Sequence, residues 1–513
     1  MLRSLLLVLA LQAGAGSLPE MLEHARQYLE ASDRSAARRE LAEALRLHPA
    51  SPAVHNFLGV LEAGEGNYLE AEKRFREAVL RAPNYTDAYL NLGRLYQENG
   101  GKDPKAATKA LAVYQAVLRY EPAHAEARFQ SAALLQAIGE FGRSLDELGR
   151  LPPADRDRPA ALAVRLADHA GQGERAEADA AAGKLLAQGG FDELDVRSIL
   201  PVLAAHGRED LAASLIEDLR RRGRASSDDL QRLGLFREKE GQLVEARVRL
   251  EEAARDRPDD VPLLLDLARV THKAGDGRGA LGYLAHARAL EPGNARVHFL
   301  FGMVCVELDL GSEAYNSLKE AVRLDPENAA VNYAMGAVAL HRKDASEAIP
   351  YFRKYSELEP NEPRGPLAVG VAAFEAKDYE TARRLLVPAA DRPATAAGAS
   401  YFLARMARAE GELEEALRLA LRSVEANPSY ADPWSELGLL YLRLGQPGKA
   451  GEALRRCLEL DPEHYLGNLH LGMLYAQTRD PREQEQRQRF DEIKKRGAAK
   501  GADFLRPIEV RPY

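Results

Sequence analysis

The stretch 431-ADPWSELGLLYLRLGQPGKAGEALRRCLELDP-462 decides the fold. Its first half sets Trp434, Leu437, Gly438 and Tyr441 at intervals of three, one and three residues, and its second half sets Ala450 and Leu454 four apart. Such spacings place each group on one face of a helix. Pro462 then stops the second helix, because proline lacks the N–H that would continue it. Outward from this stretch the same unit recurs. Prolines stand 34 residues apart at Pro258, Pro292, Pro326 and Pro360, and again at Pro428 and Pro462; position 394 is Ala394, with Pro393 one residue early. Upstream, Pro49 and Pro83 keep the interval, and Pro122 follows after 39 residues. A period of this length predicts a stacked array of helical hairpins, each leaving an apolar face that the next one covers.

The interior of the unit repeats as faithfully as its proline. A large–small pair appears as Leu58-Gly59, Leu92-Gly93, Leu233-Gly234, Leu267-Ala268, Phe301-Gly302, Met335-Gly336, Val369-Gly370, Leu403-Ala404, Leu437-Gly438 and Leu471-Gly472. An alanine of the second helix recurs at Ala71, Ala110, Ala246, Ala280, Ala314, Ala348, Ala382, Ala416 and Ala450. Four residues on stands a larger apolar side chain, as in Phe75, Tyr114, Leu250, Leu284, Leu318, Phe352 and Leu386. The pattern W-x2-L-G-x2-Y, A-x3-L, P resembles the tetratricopeptide repeat. That resemblance implies an all-α, right-handed α-solenoid superhelix whose first helix in each unit, helix A, lines a concave groove. Small residues at the helix A–helix B contact let the two backbones approach closely.

Composition agrees with an array of amphipathic helices. Of the 513 residues, 46% are apolar and 29% charged, and the formal charge is only −8. That balance argues against general nucleic-acid binding, which needs a strongly basic footprint. The N-terminus reads as an export signal over 1–17. Met1-Leu2-Arg3 supplies the positive start, Leu5–Leu11 an apolar run and Ala13-Gly14-Ala15 a cleavage pattern. The run is too short to span a bilayer, and no second stretch is long enough, so no stable membrane span is expected. The alternative is a cytoplasmic protein whose apolar start belongs to the first helix.

Along the chain, 18–150 is an N-terminal repeat block and 151–226 two degenerate hairpins, where helical periodicity persists without the Leu-Gly pair or the turn proline. Residues 227–480 form the regular array, and 481–513 a closing helix, with Phe490 and Ile493 facing inward, followed by an extended tail. Cys305 and Cys457, several repeats apart, are read as small buried hydrophobes rather than a disulfide.

Catalytic chemistry is not visible in the sequence. The twelve histidines never take a metal-ligand spacing, so no metal, cofactor or enzymatic activity is expected. His272 and His341 fall on the groove side of helix A. The run Arg220-Arg221-Arg222-Gly223-Arg224 ends a helix, where cations complement the dipole and Gly223 can close the turn. Function is therefore placed in the groove. The resemblance assigns it two rows, Leu265, Phe299, Tyr333, Leu367, Tyr401, Ser435, Leu469 and Leu235, Arg269, Met303, Ala337, Val371, Arg405, Leu439, Met473. Six of the seven residues in the first row are apolar, which predicts an exposed apolar stripe and hence a binding surface. Arg269, Arg296, Arg364 and Arg405 are its candidate anion-orienting groups. The Lys/Asn/Arg clamp of chaperone adaptors is absent as a set, as is an asparagine ladder. The expected function is a non-enzymatic, exported scaffold, periplasmic or secreted, that holds a protein or peptide segment; a recruiting or regulatory subunit of an enzyme complex is the alternative. The apolar tail residues Phe504, Leu505, Ile508, Val510 and Tyr513 add self-association as a further expectation.

Overall fold

The computed structural model describes residues 17–99 and 103–497. The export signal and the C-terminal tail therefore lie outside the described residues, Ser17 excepted. Among the described residues all regular structure is helical, in 29 helices joined by tight turns. The chain divides into two compact units between Phe236 and Arg237.

The first unit opens with the hairpins Leu18–Glu30/Arg34–Leu47, Pro52–Gly64/Tyr68–Arg81, Thr86–Asn99/Ala106–Tyr120 and Ala125–Ala137/Phe141–Gly149. The stretch without a signature continues the stack, through Pro159–Gln172/Arg175–Gln188 and Glu193–Ala205/Glu209–Arg221. Its core is no poorer for lacking the motif: Leu162, Leu166, Phe191, Ile199, Leu215 and Leu219 are wholly buried together. The close approach has moved elsewhere in the sequence. A Cβ on Gly171 would stand 2.5 Å from the Phe141 ring, so this glycine makes the room that the Leu-Gly pair makes in regular repeats.

The second unit holds Leu243–Ala254 and then seven hairpins, from Val261–Lys273/Gly277–Leu290 to Tyr465–Thr478/Glu483–Gly497. Four glycines of the Leu-Gly pair face the bulky residue of their own helix B. A Cβ at Gly302, Gly336, Gly370 or Gly438 would come within 2.5–2.9 Å of Leu318, Phe352, Leu386 or Leu454. Gly59 against Phe75 and Gly93 against Tyr114 repeat the contact in the first unit. Helix Glu483–Gly497 packs on the last repeat: Ile493 is buried and the Phe490 ring lies 5.0 Å from that of Tyr465.

A second device recurs with the proline. Six residues after it, a side-chain N–H donates to the proline's own carbonyl. His55 Nε2 serves Pro49 and His298 Nε2 serves Pro292, both at 3.0 Å. Asn332 (2.8 Å), Trp434 (3.0 Å) and Asn468 (3.2 Å) do so for Pro326, Pro428 and Pro462, and Arg128 for Pro122. A carbonyl between two helices has no ladder partner, and each of these side chains supplies one. Histidine, asparagine, arginine and tryptophan are interchangeable here because only a donor of the right reach is needed.

Candidate functional site

Helix A faces of the second unit carry the predicted groove residues, and the structure corrects the exposed stripe. Tyr333, Leu367 and Tyr401 are buried, as is Ser435; in the other row Met303, Ala337, Val371 and Leu439 are buried too. The Tyr333 ring packs 4.8 Å from Tyr355 and 5.5 Å from Phe352. Tyr401 meets Tyr430 edge-on at 5.5 Å and Phe402 at 5.0 Å. Burial pushes the Tyr401 phenol above its ordinary pKa. These residues are core, since the neighbouring helices close over them. Leu265, Phe299 and Leu469 remain half-buried, and only Met473 in the two rows is exposed.

The four arginines separate in the same way. Arg269 is held by Glu238 and by Asp266 at 2.7 Å; burial opposes its charge, but the two carboxylates outweigh it and hold its pKa up. Arg405 lies 4.7 Å from the Phe374 ring centre and 5.3 Å from that of Phe402, with Glu375 at 3.3 Å. A guanidinium stacked between rings and paired with a carboxylate is a strut between repeats, not a free recognition group. Arg364 is exposed beside Tyr355 and pairs with Glu362 at 3.1 Å, a bond within one turn of chain. Arg296 is exposed and has no ion-pair partner among the described residues. Arg296 and Phe299, one helical turn apart on Ala295–Glu307, are thus the accessible pair of a cation and an aromatic on this face.

Sequence reasoning missed the bridges that tie successive A helices together. Lys273 reaches Glu238, His272 reaches Glu307, Arg405 reaches Glu375 and Arg408 reaches Glu436. In the first unit, amides do the same, with Asn91 to Asn56 and Gln97 to Gln130 at 3.0 Å each. The signal was present as complementary residues about one period apart. His272, placed on the groove side, is therefore engaged in such a bridge. The arginine run is also satisfied locally: Arg220 pairs with Glu217, Arg221 and Arg222 with Asp218, and Arg222 covers the Phe191 ring at 4.7 Å. Gly223 takes the left-handed conformation, φ 68°, that the turn requires.

One cluster has the composition of a nucleophilic site without its access. His464 Nε2 lies 3.2 Å from Asp432, and Cys457 stands beside the ring. The thiol is wholly buried, and burial raises its pKa, opposite to what a reactive thiolate needs. His464 Nδ1 accepts the Gly467 N–H at 2.9 Å, which keeps the ring in the form that donates to Asp432. The cluster joins the last two repeats. Cys305 is buried likewise, its thiol pushed up to about 11 by burial. Among the described residues no group of three or more His, Cys, Asp or Glu could hold a metal, and no helix is long and apolar enough to cross a membrane.

Tetratricopeptide-repeat family models match residues 22–72, 103–167, 238–300, 311–363, 367–431 and 431–464. Among solved structures, the chain is similar to yeast Tom70, at 16% identity over 88% of this chain and 94% of that one, with a TM-score of 0.40. It is similar to PilF of Pseudomonas aeruginosa at 25% identity, over 40% of this chain and 94% of that one, TM-score 0.34. YrrB, a repeat protein described as having an unusual peptide-binding site, matches at 22% identity over 43% and 96% of the two chains, TM-score 0.26. The matched segments cover more than half of the sequence, and in regular repeats the small residue of helix A packs on the bulk of helix B; the chain belongs to the tetratricopeptide-repeat family.

Proposed function

We propose that the chain is a non-enzymatic scaffold that binds a segment of another protein on the helix A face of its second unit, around Ala295–Glu307. The observation that carries this reading is the pair Arg296 and Phe299. Arg296 is an exposed guanidinium without an ion-pair partner among the described residues, one turn from a half-buried aromatic, on a face where Tyr333, Leu367 and Tyr401 are sealed. Arginine and aromatic anchors dominate protein interfaces, because both bury large areas and the guanidinium fits carboxylates and carbonyls. Leu265, one repeat before Phe299, extends the apolar part, and Arg364 supplies a second cation two repeats beyond Arg296. The partner this surface suits is a peptide-like segment bearing an apolar side chain and an acidic group. A crosslinking pull-down from the source cell checks this. Charge reversal of Arg296 and Arg364 should cut recovery of the captured partner at least tenfold and leave the denaturation midpoint nearly unchanged, since both side chains are exposed. An unaltered set of captured proteins overturns the proposal.

Export is part of the same proposal, and it rests on Arg3, the Leu5–Leu11 run and Ala13-Gly14-Ala15. Fused to a reporter, residues 1–17 should carry it out of the cytoplasm with loss of about 15 residues, as the cleavage pattern implies. Retention with Met1 intact would instead favour the cytoplasmic alternative.

A further inference from the structure

The register occupied by Leu466, Leu469 and Met473 is buried in the repeat before it and open here. One period earlier the same positions are Asp432, Ser435 and Leu439, all buried. Helix Tyr465–Thr478 and its N-cap residue cover two of them directly, through His464 on Asp432 (3.2 Å) and His470 Nδ1 on the Ser435 hydroxyl (3.0 Å). No described helix A follows Tyr465–Thr478 to do the same for its own face. Leu466 is consequently 37% exposed and Met473 46%, with Leu469 between them, at spacings that put all three on one stripe. The closing helix packs elsewhere, since Phe490 meets Tyr465 and Gln486 reaches Asn468. Earlier in the second unit the first position of this register is held by Arg296 and Arg364, which are exposed and charged; three apolar residues here, in positions buried one repeat earlier, form an open apolar stripe that calls for a cover.

We propose that residues 503–513 of this chain lie along the Leu466–Leu469–Met473 stripe. Three observations favour this occupant. The Phe490–Tyr465 contact, with Arg489 donating to the Pro462 carbonyl at 3.1 Å, shows that the closing helix runs back antiparallel. Its end at Gly497 is therefore directed towards the end of Tyr465–Thr478 where the stripe begins. Sixteen residues of the sequence follow Gly497, and the five from Ala498 to Ala502 are small or flexible, with one lysine. The eleven after them could extend over about 35 Å, against roughly 10 Å for the seven-residue stripe. Their composition also fits: Phe504, Leu505, Ile508, Val510 and Tyr513 alternate with charged residues and two prolines, Pro507 and Pro512. Proline disfavours a helical continuation and suits an extended strap laid over a helix face.

Hydrogen exchange read over 465–478 tests the assignment. The full chain should exchange there at least threefold more slowly than a chain ending at Ala502, while 329–341 exchanges equally in both. A synthetic peptide of residues 498–513, added to the shortened chain, should restore protection; the same peptide with Phe504→Asp and Leu505→Asp should not. Introducing those two substitutions into the full-length chain gives a second reading that needs no truncation, and it should match the shortened chain. Equal exchange with and without the tail overturns the proposal. So does protection that appears only as the mass in solution doubles with concentration, because the cover is then a second copy.

Discussion

Gly438 shows how little freedom a single position has in this array. A Cβ there would sit 2.5 Å from Leu454, closer than real contacts allow. Gly→Ala in the interior of a helix ordinarily stabilises by up to about 1 kcal/mol. At Gly438 the clash should reverse that sign, and Gly438→Ala is expected to destabilise by about 1–3 kcal/mol, the usual range for overpacking. Gly472 is the matched control. Its nearest neighbour is the flexible Gln486 side chain at 3.9 Å, so Gly472→Ala should be neutral or slightly stabilising. Urea denaturation of the two variants checks the contrast, and equal midpoints would show that the helix pair adjusts freely. Both glycines sit in the same motif and look identical in sequence. What distinguishes them is the residue opposite, a leucine in one repeat and a glutamine in the other.

Between elements, Asp168 makes the N-terminal unit sensitive to pH. It lies wholly buried on Pro159–Gln172, and neither carboxyl oxygen has a hydrogen-bond partner. Ser144, which replaces the repeat alanine on Phe141–Gly149, lies against it but donates its one hydroxyl proton to the Ala132 carbonyl at 2.9 Å. Burial therefore lifts the carboxyl from 3.8 to about 8, with Ser144 and Arg165 opposing. A folded-state pKa raised above the unfolded one means that the folded protein holds the extra proton. Its stabilising contribution is full below about 4 and is lost as pH rises through about 8, at up to about 1.4 kcal/mol per pH unit. Denaturation followed from pH 5 to pH 8 should show this decline, and Asp168→Asn should flatten it. A variant that keeps the wild-type slope would place the titration elsewhere. His470 works in the opposite direction at the other end of the chain. Burial lowers its pKa to about 4, so the last repeat loses stability as pH falls from about 6.5 through that value.

At the scale of the molecule, stability should be graded along the second unit. Its largest continuous core runs from Tyr333 to Ala453 and includes Phe352, Leu367, Tyr401, Phe402 and Leu440. Repeat arrays gain stability mainly from nearest-neighbour interfaces, so a central hairpin is held from both sides and a terminal one from one side. Amides of Ala329–His341, Arg364–Glu375 and Ala396–Glu410 should exchange more slowly than those of Glu483–Gly497, with protection falling towards the end. Uniform protection over the whole unit would mean that it opens only as one block.

The sequence by itself determined the hairpins, their period, the helix A–helix B contacts and the small buried role of both cysteines. These depend on residues within 34 positions of one another, and a one-dimensional fold writes such contacts as a repeat. It was also enough for the helices of 159–221, where apolar spacing survives after the motif has gone. Only the tertiary structure decided which helix A residues face solvent. Whether Tyr333, Leu367 or Tyr401 is exposed depends on how closely neighbouring helices approach and on which side chains, such as Tyr355 and Tyr430, reach over them. The same geometry turned Arg269 and Arg405 into struts and left Arg296 accessible, although all are arginines at groove positions. Periodicity records which face of a helix a residue occupies; the cover over that face is set by the packing of its neighbours.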